Sequence, residues 1–151
     1  MANGVILLVE DNPDDVELTM RSFEQANIGN EVVVARDGVE ALDYLWRRDA
    51  WSERGPEQYP AVVLLDIQLP KIDGLEVLEQ IRRDPRTRRT PVVMLTSSNE
   101  ERDLVQSYER GANSFVRKPV DFDRFAEAVR QLGLYWLVIN EPAPPTGADA
   151  R

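Results

Sequence analysis

The feature that most constrains this chain is a rhythm. Short runs of consecutive apolar, mostly β-branched residues alternate with longer amphipathic stretches. Val5–Val9 and residues 31–35, 61–65, 91–95 and 114–117 read as strands. Residues 13–26, 38–48, 75–83 and 98–110 carry apolar positions at helical spacing, and a fifth such stretch opens at Asp121 and reaches Leu132. A strand apolar at every position is buried on both faces, which is the habit of parallel sheets covered by helices on each side. Five βα units therefore predict an α/β domain built on a five-stranded parallel sheet.

Punctuation agrees with this reading. Pro13 suits a first helical position, Ser98 and Glu101 have capping-box spacing, and Gly111 is a stop signal. Val16, Met20 and Phe23 are expected to face inward from the first helix, and Val39, Leu42, Leu45 and Trp46 from the second. Residues 49–59, with Gly55, Pro56 and many charges, read as a long surface loop.

Open parallel sheets bind ligands beyond the carboxyl ends of their strands. The residues just past those ends are Glu10 and Asp11, then Asp66, then Thr96 and Ser97, then Lys118. Three carboxylates, hydroxyls and an ammonium are thus expected on one rim. Two carboxylates 5 Å apart repel by about 3 kcal/mol at an effective dielectric near 20, so three of them call for a dication. With no cysteine and no histidine, thiolate, imidazole and zinc chemistry are excluded, and a hard cation such as Mg²⁺ is favoured. The reaction class that suits such a rim is phosphoryl transfer onto a carboxylate.

A net charge of −9 disfavours nucleic acid and anionic membrane as partners. No signal peptide and no span-length apolar run are present, so the expected location is cytoplasmic.

Val-Glu-Asp-Asn at 9–12, Leu-Leu-Asp at 64–66, Leu-Pro-Lys-Ile-Asp-Gly at 69–74, Leu-Thr-Ser at 95–97 and Phe-Val-Arg-Lys-Pro at 115–119 stand in order along the chain. In these motifs the sequence resembles the receiver domains of two-component response regulators. The resemblance implies a flavodoxin-like doubly wound (βα)5 fold with strand order 2-1-3-4-5, and a receiver domain over residues 4–135. It implies Asp66 as phosphoacceptor, with Asp11, Asp66, the Gln68 carbonyl and, through water, Glu10 as Mg²⁺ ligands. Thr96, Ser97, Lys118 and the Ile67 backbone would hold the phosphoryl group, and Thr96 and Phe115 would form the switch. Glu10 stands where many relatives carry aspartate, and Phe115 lacks the hydroxyl of the tyrosine often found there. The implied partner is a sensor histidine kinase, and the closest likeness is to small regulators serving bacterial phytochromes. Such a protein is a signalling phosphoacceptor rather than an enzyme acting on other substrates.

Rival readings remain on the residues alone. A haloacid-dehalogenase-type phosphatase would want an aspartate where Gln68 stands, and no Gly-x-x-x-x-Gly-Lys-Ser/Thr occurs for a nucleotide enzyme. A flavodoxin-like cofactor module would meet repulsive acidic strand ends, and an interaction module without phosphorylation would not need every rim residue. Phe122, Phe125, Val129, Leu132, Trp136 and Ile139 follow one helical face, whereas Leu134, Tyr135, Leu137 and Val138 fall off it. An apolar surface all round points to a homodimer through this C-terminal segment; the alternative is a break at Gly133 and a tail folded back on its own domain. Residues 136–151 form an extension ending in a Pro-rich stretch expected to be disordered.

Overall fold

The computed structural model describes residues 4–96, 101–117, 122–133 and 135–136. Five parallel strands alternate with five helices: β1 (Val5–Val9), α1 (Pro13–Gln25), β2 (Val32–Ala35), α2 (Gly38–Trp46), β3 (Pro60–Leu65), α3 (Gly74–Arg83), β4 (Val92–Thr96), α4 (Glu101–Glu109), β5 (Ser114–Arg117) and α5 (Phe122–Gly133). The sheet order is β2-β1-β3-β4-β5, as the expected fold requires.

Alternation along the strands divides the interior into two layers. Leu7, Val9, Val63, Leu65, Val92 and Met94 point to one face and meet Leu42, Leu45, Val77, Leu78 and Ile81 of α2 and α3. Ile6, Leu8, Val62, Leu64, Val93 and Leu95 point to the other and meet Val16 and Phe23 of α1, with Leu132 and Trp136 at the C-terminal end. All five residues of β1 are buried, because it lies inside the sheet with helices over both faces. Among the described residues no helix is long and apolar enough to cross a membrane.

Two expectations are corrected. Met20 does not face inward: it is 39% exposed, and Thr19 and Ser22 are buried in its place. At 100° per residue the buried stripe runs Val16, Thr19, Phe23, leaving Met20 on its edge. The hydroxyls of Thr19 and Ser22 are satisfied within the helix, donating to the Asp15 and Leu18 carbonyls. Nor is 49–59 a plain surface loop. It forms short 3₁₀ turns at Asp49–Trp51 and Pro56–Gln58, and Arg54 between them is buried. The Arg54 guanidinium donates to the carbonyls of Tyr44, Leu45 and Gly55, so it closes the C-terminal end of α2.

Candidate functional site

The topological switch point lies between β1 and β3, whose next connections leave in opposite directions across the sheet. Val9 and Leu65 are register partners, and the Asp66 N–H donates to the Val9 carbonyl at 3.2 Å. On the other side, the Glu10 N–H donates to the Ala35 carbonyl at 2.9 Å. Glu10 and Asp66 therefore leave the sheet at the same level, and both are buried, at 3% and 8% exposure.

Their carboxylates are held by the turns that follow. Asp66 Oδ1 accepts the Gln68 N–H at 3.0 Å, and Glu10 Oε2 accepts the Asn12 N–H at 3.2 Å. Asn12 in turn caps α1, its Oδ1 taking the N–H groups of Asp14 and Asp15. Turning Glu10 toward that cap leaves Asp11 on the exposed side. Hence the three acids share one rim without forming a closed cage. Among the described residues, no group of three or more carboxylates stands close enough to hold a metal unaided.

The loop after Asp66 is pressed against its surroundings by two Asp-Gly pairs. Asp73 caps α3 through the Glu76 N–H, and Asp37 caps α2 through the Glu40 N–H. The glycine after each cap lies where a side chain cannot fit. A Cβ on Gly74 would stand 2.0 Å from the Asp66 carbonyl oxygen, and one on Gly38 2.5 Å from that of Ile72. The Gly74 N–H also closes the loop on the Ile67 carbonyl at 2.7 Å. At its outer turn Lys71 adopts φ +69° and pairs with Asp37 at 3.2 Å. Burial pushes the Asp37 carboxyl up, but the Glu40 and Val39 N–H groups and the Lys71 ammonium outweigh it, holding it below the usual carboxylate value.

Across the site, Thr96 ends β4, in register with Arg117 of β5. Phe115 is half-buried against the α2/α3 layer, beneath the Arg117 guanidinium at 5.7 Å. Ser97, Lys118 and the cap residue Ser98 lie outside the described residues, as does the orientation of the Thr96 side chain. The expectations from sequence quoted Lys71 and Gly74 only within the 69–74 motif and gave no framing role to them, to Asp37 or to Gly38. Their signal was the repeated Asp-Gly before an apolar periodic stretch, a cap followed by a close approach.

Chemically, the rim offers a carboxylate that accepts the Gln68 N–H beside a second buried acid and an exposed third. The donors are all oxygen and one of them, Asp11, is exposed, which fits a hard cation that keeps several waters and takes only one or two carboxylates. With neither histidine nor cysteine in the chain, it does not fit zinc.

Residues 6–130 match the family described as the response regulator receiver domain. The chain is 43% identical over 141 residues to the probable methanogenesis regulatory protein FilR2 of Methanothrix harundinacea, covering 93% of this chain and 88% of that protein. It is 37% identical over 133 residues to response regulator Rcp1 of Synechocystis, covering 88% of each. Among solved structures, the phosphorylated cyanobacterial phytochrome response regulator RcpA superposes with TM-score 0.86 at 34% identity, over 95% of this chain and 100% of that one. The Mn²⁺-bound form of Rcp1 gives 0.84 at 33%, over 93% and 99%. The bacteriophytochrome response regulator AtBRR gives 0.74 at 56%, over 92% and 99%.

Proposed function

The chain belongs to the response regulator receiver domain family, and from that premise we propose that it is a phosphorylation switch with Asp66 as its acceptor. The observation that carries the reading is the setting of Asp66: a carboxylate 8% exposed, one residue past a wholly apolar strand, at the switch point, anchored by the Gln68 N–H. A carboxylate oxygen attacks the phosphorus of a phosphohistidine on a partner kinase. The new P–O bond forms as the P–N bond breaks, and the leaving imidazole nitrogen keeps the electron pair and takes up a proton.

Asp11, Asp66 and the Gln68 carbonyl would hold Mg²⁺, with Glu10 acting through water. The ion would screen acceptor from donor and bind a transferred oxygen. The Ile67 backbone, Thr96, Ser97 and Lys118 are assigned to the phosphoryl oxygens. The added charge of about −1.5 to −2 draws Thr96 inward and lets Phe115 follow. The readout surface would be α4, β5 and α5, where Val105 and Tyr108 stand 45% and 50% exposed on α4. A bacterial phytochrome-type kinase is the proposed donor, on the likeness to RcpA, Rcp1 and AtBRR. Leu132 and Trp136, on the helical face expected to cover the domain's own core, pack on the α1-side layer. Tyr135, 47% exposed, is the described residue offered to a second copy.

The test is intact mass after incubation with Mg²⁺ and acetyl phosphate, beside Asp66→Asn. The expected result is one phosphoryl adduct on the parent protein, dependent on Mg²⁺ and absent from the variant. An adduct that persists in Asp66→Asn refutes the assignment.

A further inference from the structure

Lys71 is a non-glycine residue in the left-handed region, at φ +69°, directly after Pro70. Proline followed by a residue at positive φ is the combination type II turns use, and their usual choice for the second place is glycine. Glycine would remove the strain there; lysine retains it, but reaches Asp37. The pair spans 3.2 Å, with the Lys71 side chain 64% exposed and the Asp37 side chain only 9%. It ties the outer turn of the β3–α3 loop to the first residue before α2. The same α2 terminus packs by Gly38 against Ile72, the residue after Lys71.

Resting on the phosphoacceptor reading, we propose that Lys71 and Asp37 form a clamp that positions the β3–α3 loop, so that the Gln68 carbonyl is presented to a divalent cation beside Asp66. Both are positioning residues. Without the pair, Lys71 relaxes toward negative φ, and Leu69 and Gln68 turn with it, because Pro70 holds its own φ and transmits the rotation.

Charge alone makes a different prediction, which gives the test its resolving power. Removing the Lys71 ammonium would ease the repulsion felt by a nearby cation and tighten binding, whereas neutralising Asp37 would weaken it. A clamp requires both changes to weaken it. Mn²⁺ is the probe, its free aquo ion followed by electron paramagnetic resonance at about 0.15 M salt, where charges beyond roughly 8 Å are screened. Asp37→Asn keeps the α2 cap, since asparagine caps as well as aspartate.

Lys71→Met and Asp37→Asn should each weaken Mn²⁺ binding about threefold, the scale of a half-exposed pair. The double variant should be no weaker than either single, and Lys71→Arg should stay near the parent protein. Opposite signs for the two single variants, or no change in Lys71→Met, would overturn the clamp. A second readout does not depend on metal: amide hydrogen exchange at residues 67–73 in the metal-free protein. It should quicken in both single variants, and unchanged exchange would overturn the clamp as well. A parent protein that takes up no Mn²⁺ counts against the phosphoacceptor reading instead, and the exchange data then judge the clamp alone.

Discussion

Arg82 offers a quantitative test of how the far side of the domain is held. It sits on α3, and its guanidinium donates to four neutral oxygens: the Gly111 carbonyl at 2.8 Å, Thr90 at 2.6 Å, Arg88 at 3.2 Å and Asn113 Oδ1 at 2.8 Å. Burial holds its pKa below the ordinary arginine value, although the charge of an ionised Tyr59 phenol acts the other way. Hydrogen bonds to a charged group contribute about 1.5–3 kcal/mol each, roughly 6–12 kcal/mol for four. Taking a cation out of water without a carboxylate offsets several kcal/mol of that.

Arg82→Met keeps much of the stem and deletes the donors. The Arg88 and Asn113 acceptors are exposed and can rehydrate, but the Thr90 residue is buried, so its carbonyl is left without that partner. A net loss of about 3 kcal/mol follows. For a chain of this size that lowers Tm by about 6–12 °C. The assay is urea unfolding followed by circular dichroism, with Arg83→Met as control. Arg83 is 68% exposed and pairs only with Glu79 among the described residues, so its loss should stay below about 0.5 kcal/mol. An Arg82→Met variant within about 1 kcal/mol of the parent, at unchanged m value, would refute the reasoning.

Other outcomes follow from the packing of the same domain. Gly74→Ala forces a Cβ to 2.0 Å from the Asp66 carbonyl, so it should cost about 3 kcal/mol in urea unfolding and slow Asp66 phosphorylation. Gly29→Ala, with nothing within 4 Å of its Cβ, should be neutral or slightly stabilising; equal effects at the two sites would sink the argument. Burial pushes the Tyr44 phenol up to about 12 from 10.0, so its stabilising contribution is intact below pH 10 and lost as pH rises toward 12. The two-unit shift corresponds to about 3 kcal/mol. Tyr44→Phe should remove the tyrosinate absorbance that appears near that pH, and a Tyr44 titrating near 10 would contradict its burial. A homodimer through the C-terminal segment should sediment as a dimer at high micromolar concentration, and Tyr135→Glu should give monomer; a parent protein monomeric throughout would end that proposal.

Much of this protein is determined by sequence alone. Strands such as Val5–Val9 are apolar at every position, and only a sheet covered on both faces buries both sides of such a strand. Parallel strands need crossovers, so their carboxyl ends share one rim, and Glu10, Asp11, Asp66 and Thr96 were legible there as a set. The family motifs added the roles. What tertiary structure decided is how those side chains are aimed and what frames them. Neighbours in sequence, Glu10 and Asp11 part company because the Asn12 turn takes one carboxylate and leaves the other outside. Met20 and Thr19 exchange places because the buried stripe of α1 is rotated toward Thr19 and Ser22, away from the apolar positions at Val16, Met20 and Phe23. Arg54 and Arg82 look like surface charges in the sequence, yet both turn inward to carbonyls left over at helix and strand ends. The Asp37–Lys71 pair joins residues from two different loops, brought together only when α2 and the β3–α3 turn dock. Local pattern fixes which face of a segment is buried, whereas a hydrogen bond or ion pair across the fold depends on distances set by packing.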